Sequence, residues 1–253
     1  MTRKLTLAGC CTRNSMRLAV GWTLLLALAQ GGMAKAVEFP DAGDRGAPER
    51  TAGGGTRGEW CEGMTWTPWS ITALVPSNNV STFAGEQASL WLYVAAGFNE
   101  KTAELYVQDP ETRKTVHEQQ IQLTGLENGG LVKVDLPASN AAGDSLLAAG
   151  KDYYWEFSVI CNESDRAQDY IVQGLLNRVE VNSSLLEDLA SASLAQQLEQ
   201  FASAGLWQET LQVSDALKST DLSQWEALLT SVGLDMLIPE LTPPQTGQSF
   251  TEG

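Results

Sequence analysis

Between Ile71 and Val179 the chain breaks into seven short apolar or alternating runs, with no segment of helical length between any two of them. The runs are Ile71 to Val75, Leu90 to Val94, Glu104 to Val107, Val116 to Leu123, Leu131 to Leu136, Tyr153 to Cys161 and Tyr170 to Val179. Turn-forming residues lie between them at Pro76-Ser-Asn-Asn, Asp109-Pro110, Asn128-Gly-Gly and Gly150-Lys-Asp. Parallel strands need long crossovers, so this spacing predicts a mainly β fold: an antiparallel, Ig-like β-sandwich of about seven strands over residues 60–181. Tyr153–Cys161 is the clearest strand, because period two sets Trp155, Phe157, Val159 and Cys161 on one face, the expected core side.

After Asn182 the period lengthens to that of a helix, which predicts a small helical unit over residues 182–238. Leu185, Leu186, Leu189, Leu194, Leu198 and Phe201 form a first stripe, ended by Gly205. A second helix runs from about Leu206 to Lys218, with Trp207, Leu211, Ser214 and Leu217 near one face. A third starts at Ser223, which forms a capping-box pattern with Glu226, and carries Trp225, Leu228, Leu229 and Val232. Three short helices hold together poorly alone and such stripes are too large to expose, so the unit is expected to dock on the sandwich. Undocked, it would present Trp207 and Trp225 as a partner-binding face. The polar residues 239–253 are expected to be a disordered tail.

The amino terminus reads as a signal peptide, residues 1–36. Leu18 to Ala29 is an apolar run behind Arg13 and Arg17, and it leads to Met33-Ala34-Lys35-Ala36, with cleavage expected after Ala36. The uncharged stretch from Leu18 to Ala34 is short for a membrane span, which favours cleavage over the alternative of an uncleaved anchor, and no stable membrane insertion is expected after cleavage. Leu7-Ala8-Gly9-Cys10 looks like a lipoprotein box but follows no apolar run, and Met16 offers a second, more compact start. Residues 37–59 are expected to be a flexible linker. Asp41 to Gly58 is Gly-rich and nearly free of apolar side chains, and its Arg45, Arg50 and Arg57 make it either a solvated tether or a docking arm.

Removing the leader also removes Cys10 and Cys11, which leaves Cys61 and Cys161. In an oxidising compartment these two predict one disulfide, the alternative being two buried free thiols. The leader takes five of the 16 basic residues and none of the 31 acidic ones, so the remainder carries a net charge near −20. Such a field repels polyphosphates and anionic lipid surfaces, which argues against nucleic-acid and peripheral membrane partners.

Several strings resemble a known family when taken together: Gly53-Gly-Gly-Thr-Arg-Gly58 with Cys61, Ile71-Thr-Ala-Leu-Val-Pro76, and Tyr154-Trp-Glu-Phe-Ser-Val-Ile-Cys161 with Asp165-Arg166. Ala204-Gly-Leu-Trp207 and Trp225-Glu-Ala-Leu-Leu-Thr-Ser-Val-Gly-Leu234 complete the set. The combination resembles a secreted cyanobacterial family catalogued as a domain of unknown function, number nine hundred and twenty-eight. That resemblance spans about Arg45 to Leu237 and implies an origin and an export route, not an activity. Gly174-Leu-Leu-Asn-Arg178 departs from it, since an aromatic is expected after the glycine.

Chemistry-bearing residues are sparse. His117 is the only histidine and no nucleophile motif accompanies it, so it reads as an exposed strand histidine. Gly53 to Gly58 lacks the Gly-Lys-Ser/Thr ending of a phosphate loop. Glu163, Asp165, Arg166 and Asp169 form a charged loop at a strand end, where sites are often placed; Arg166 pairing with the acids and pinning the loop competes with a metal or substrate site. Trp60, Trp66 and Trp69 cluster at the domain entrance, as core packing or as a ligand platform. No cofactor is expected. The function expected is an exported, non-enzymatic interaction module with a protein or glycan partner of the envelope. A hydrolase acting on envelope glycans near Asp165 and a self-associating structural component are the alternatives.

Overall fold

The computed structural model describes residues 36–41, 43, 61 and 70–242. The expected signal peptide up to residue 35, most of the expected linker, Trp60, Trp66, Trp69 and the tail from residue 243 lie outside the described residues.

The protein is mostly β, in two sheets. Strands β1 (Ile71–Ala73), β3 (Ser89–Val94) and β6 (Gly130–Asp135) form an antiparallel three-stranded sheet in the order β1-β3-β6. Strands β2 (Val80–Phe83), β4 (Thr102–Asp109), β5 (Lys114–Gln122), β7 (Lys151–Val159) and β8 (Tyr170–Arg178) form a five-stranded sheet in the order β2-β8-β7-β4-β5. Seven of the eight overlap the expected runs; β2, four residues long, is too short to show a period. It pairs parallel to β8, which corrects the all-antiparallel expectation. No hairpin constrains the direction of two strands so far apart in sequence. Asn79 turns the chain into β2 with φ 58°, a left-handed conformation that asparagine tolerates, and its Nδ2 donates to the Gln173 carbonyl at 2.8 Å.

The inner faces share one core. Leu90, Leu92 and Val94 of β3 meet Leu105, Val107, Trp155, Phe157 and Val159 of the larger sheet. Gly174 on β8 leaves room for Trp155, since a Cβ there would stand 2.9 Å from the indole ring. The other face of β3 places Trp91 and Tyr93 in a second apolar cluster, built mainly by helices. Burial on both faces accounts for the near-continuous apolar run Leu-Trp-Leu-Tyr-Val.

Helices α1 (Ser183–Ala190), α2 (Leu194–Ser203), α3 (Trp207–Leu217) and α4 (Leu222–Ser231) follow, and a single turn, α5 (Ile238–Leu241), ends the described chain. The first expected stripe is thus two helices. Ser193 interrupts it, forming a capping box in which its Oγ accepts from the Gln196 amide and Gln196 Oε1 accepts from the Ser193 amide. The capping box expected at Ser223 does not form: α4 starts a residue earlier, and Ser223 Oγ donates to Asp221 Oδ1 at 2.5 Å. Gly205 and Gly233 follow α2 and α4 with φ of 68° and 71°, as C-terminal stops require.

Three further expectations are corrected. Trp207 and Trp225 are 0% exposed, so they are core residues and not a partner-binding face. Trp207 packs in the second cluster and donates its Nε1–H to the Leu74 carbonyl at 2.8 Å. The linker does not begin at Val37, because Val37 and Phe39 fill the same cluster. The Val37 amide donates to Gln224 Oε1 at 3.0 Å, the Phe39 amide to Ser231 Oγ at 3.1 Å, and the Phe39 ring meets Trp207 edge-on at 4.9 Å. Nor does the tail begin at 239. Pro239 sits in the first turn of α5, where a missing N–H costs nothing, and Leu241 is buried.

Helix α3 is stitched to the sheets through its first turn. The Trp207 amide donates to Thr82 Oγ1 at 3.1 Å, and Thr82 Oγ1 donates to the Gly205 carbonyl. Gln208 Nε2 donates to Ser81 Oγ at 3.1 Å, and Gln208 Oε1 accepts from the Ser89 amide at 2.8 Å. Glu209 Oε1 accepts from the amides of Ala84 and Gly85. Burial pushes the Glu209 carboxyl above its ordinary range, against these two amides, and its Oε2 has no hydrogen-bond partner among the described residues. No helix among the described residues is long and apolar enough to cross a membrane.

Candidate functional site

The loop after β7 is held at both ends. The Ile160 amide donates to the Thr102 carbonyl at 2.9 Å, and the next residue, Cys161, forms the disulfide with Cys61, at a Cα separation of 4.9 Å. The Cys161 amide donates to Asp169 Oδ1 at 3.3 Å, closing the loop on itself. Between these ends Asp165 caps the 3₁₀ turn Arg166–Gln168: its Oδ1 accepts from the Ala167 amide at 3.2 Å and its Oδ2 from Gln168 Nε2 at 3.0 Å. Both carboxylate oxygens of Asp165 are therefore used in shaping the loop.

Arg166 ties this loop to the sheet. Its Nε donates to the buried Asp169 Oδ2 at 2.5 Å and its Nη2 to Glu104 Oε2 at 2.8 Å. Glu104 also accepts from Gln120 Nε2 at 3.2 Å and from the Tyr106 hydroxyl at 3.3 Å. The Arg166 hydrogen bond, opposed by burial and helped by Gln120, holds the Glu104 carboxyl below its ordinary range. The same two carboxylates push the Arg166 guanidinium further up. Such a charge-assisted fork fixes the loop against β4.

A cleft of about 290 Å³ opens between loop and sheet, lined by Thr102, Gln120, Gln122, Ile160, Glu163 and Arg166. It lies at the β5 edge of the larger sheet, whose outer side continues as a polar field. The Tyr154 hydroxyl lies 2.9 Å from Glu156 Oε2 and 2.6 Å from Gln173 Oε1, and burial pushes its pKa up.

Of the residues singled out from the sequence, Arg166 lines the cleft and Asp165 supports it from behind, whereas Trp207 and Trp225 are buried elsewhere. Thr102, Gln120, Gln122 and Glu104 were not foreseen. The one signal for them is the polar run Glu118-Gln-Gln-Ile-Gln122, unusual for a strand. His117 is half-buried on β5, with Nε2 3.3 Å from Gln119 Oε1. No group of three or more His, Cys, Asp and Glu residues converges to hold a metal ion among the described residues.

The chain belongs to the family described as Domain of Unknown Function (DUF928), whose sequence model matches residues 52–241. That match includes both cysteines of the disulfide and, among the described residues, every strand and the helices through α5. No curated protein matches the chain.

Proposed function

We propose that this DUF928 protein is an exported, non-enzymatic interaction module of a cyanobacterial envelope, an Ig-like sandwich whose working surface is the cleft beside Arg166. The observation that carries this reading is the braced loop: a disulfide, a capped turn and the Glu104–Arg166–Asp169 fork hold one wall of an open polar cleft against the other. A preorganised recognition surface needs that rigidity, because ordering a loose loop on binding weakens affinity. Export is supported by the leader pattern and by the disulfide.

Amino-terminal sequencing of the protein from its native host is expected to give Val37; a start at Met1 or Met16, or an acylated Cys10, overturns export with cleavage. Immobilised protein is expected to retain an envelope component that Arg166→Ala releases. Retention unchanged by that substitution removes the cleft from the reading. Turnover of a glycan that Asp165→Asn abolishes would replace the module with a hydrolase. Self-association is the second reading, favoured by β5, a nine-residue strand with no second strand partner among the described residues. Sedimentation showing a dimer that a proline in β5 dissociates would support it.

A further inference from the structure

We infer that the cleft beside Arg166 takes one unit of a neutral, hydroxyl-rich glycan chain. This deepens the interaction-module reading and rests on it. The inference comes from which polar atoms the existing hydrogen bonds leave over. Gln120 spends an Nε2 proton on Glu104 and Gln122 spends one on Thr102 Oγ1 at 2.8 Å, so both amide oxygens remain as acceptors. Thr102 accepts from Gln122 and keeps its own hydroxyl proton to donate. Arg166 spends Nε and Nη2 on Asp169 and Glu104, leaving Nη1 as a donor without a partner among the described residues.

The cleft therefore offers both donors and acceptors. An anion asks for donors alone and an ammonium for acceptors alone, whereas a sugar hydroxyl both gives and accepts. Charge argues the same way against anions, since the Arg166 cation is already matched by Glu104 and Asp169 while Glu163 stands on the rim. Ile160 gives the lining one apolar side chain, which suits the C–H face of a pyranose. The volume, about 290 Å³, lies at the lower end of small-molecule sites and fits a ring or two, not a protein loop. Because the cleft opens at an edge strand, a chain can run on past the occupied unit in either direction.

The test is calorimetric titration of the full exported protein with cellotetraose, maltotetraose and chitotetraose as neutral probes. Trigalacturonate serves as the anionic probe and tetralysine as the cationic one. At least one neutral probe is expected to saturate, the charged probes to bind more than tenfold more weakly, and Gln120→Ala with Gln122→Ala to weaken the neutral probe about tenfold. Both glutamines are exposed and Glu104 keeps Arg166 and Tyr106 when Gln120 is removed, so the variant is expected to unfold cooperatively with only a small drop in melting temperature, which separates a lost contact from a lost fold. No saturation by any neutral tetrasaccharide overturns the inference, and so does saturation that the double variant leaves unchanged. Tight tetralysine binding overturns it in favour of a basic protein partner. If the envelope component is still retained through Arg166 while every tetrasaccharide fails, the glycan falls and the module stands; if Arg166→Ala changes nothing in either assay, both fall.

Discussion

The two sheets share a core but treat their other faces differently. On the three-stranded sheet, Trp91 and Tyr93 turn away from that core into a dry cluster closed by α2, α3, α4 and the segment Val37–Phe39. On the five-stranded sheet, the side away from the core carries two part-buried hydrogen-bonded groups, Tyr106 with Glu104 and Tyr154 with Glu156 and Gln173, in a polar field that ends at the cleft. One glutamate from each region shows the contrast. Glu104 finds a guanidinium and its carboxyl is held below the ordinary range; Glu209, buried at the dry interface, meets backbone amides but no cation among the described residues and is pushed above it. The covered face supplies stability, and the wet face is where a ligand can be met.

Removing the cover should have the largest effect. A chain truncated after Val181 exposes Leu74, Trp91 and Tyr93 together, and is expected to aggregate or bind hydrophobic dyes. A monomeric truncated protein with unchanged urea stability would mean that the helices contribute little.

Reducing the disulfide comes next and frees the loop that borders the cleft. Opening a loop of 100 residues is worth up to about 4.7 kcal/mol on the chain-entropy account, read as a drop in the denaturation midpoint. Hydrogen exchange is expected to accelerate first over residues 160–169 and last in α3; the opposite order breaks the assignment of the disulfide as the anchor of the loop after β7.

Between the regions, Gly174→Ala tests the inner packing of the larger sheet. The added methyl would stand 2.9 Å from both the Trp155 ring and Asn79 Oδ1, and overpacking of this kind costs about 1–3 kcal/mol in chemical denaturation. A neutral result would mean that Trp155 can shift freely.

The smallest and sharpest test is the pH dependence, because the two glutamates should act with opposite signs. The Glu104 carboxyl is depressed in the fold, so its contribution is complete above the ordinary unfolded value and is lost as pH falls through the lower folded one. The Glu209 carboxyl is raised, so its contribution is complete below the ordinary value and is lost as pH rises through the higher folded one. Urea midpoints from about pH 3 to 8 should therefore show a smaller acid-side fall in Glu104→Gln, with Asp109 and Asp135 still depressed, and a smaller rising-pH fall in Glu209→Gln. Equal slopes in both variants would remove the electrostatic contrast between the regions.

Local pattern was enough for much of the fold. Period two marked seven strands and put Trp155, Phe157 and Val159 inward, and Gly205 and Gly233 marked helix ends, because these signals live within a few residues of chain. The two cysteines and the compartment implied by the leader pattern pointed to one bridge. What tertiary structure alone decided involves residues far apart in sequence. Val80–Phe83 becomes a strand because Leu175 to Arg178 is there to receive it. Val37 and Phe39 become core because the cluster around Trp207 lies beside them. The cleft was only half legible: the charged loop around Arg166 stands out in the sequence, but Thr102, Gln120 and Gln122 become its opposite wall only through β4–β5 pairing and the reach of Arg166 to Glu104. Periodicity reports which way a side chain points, whereas only the folded chain decides what it meets.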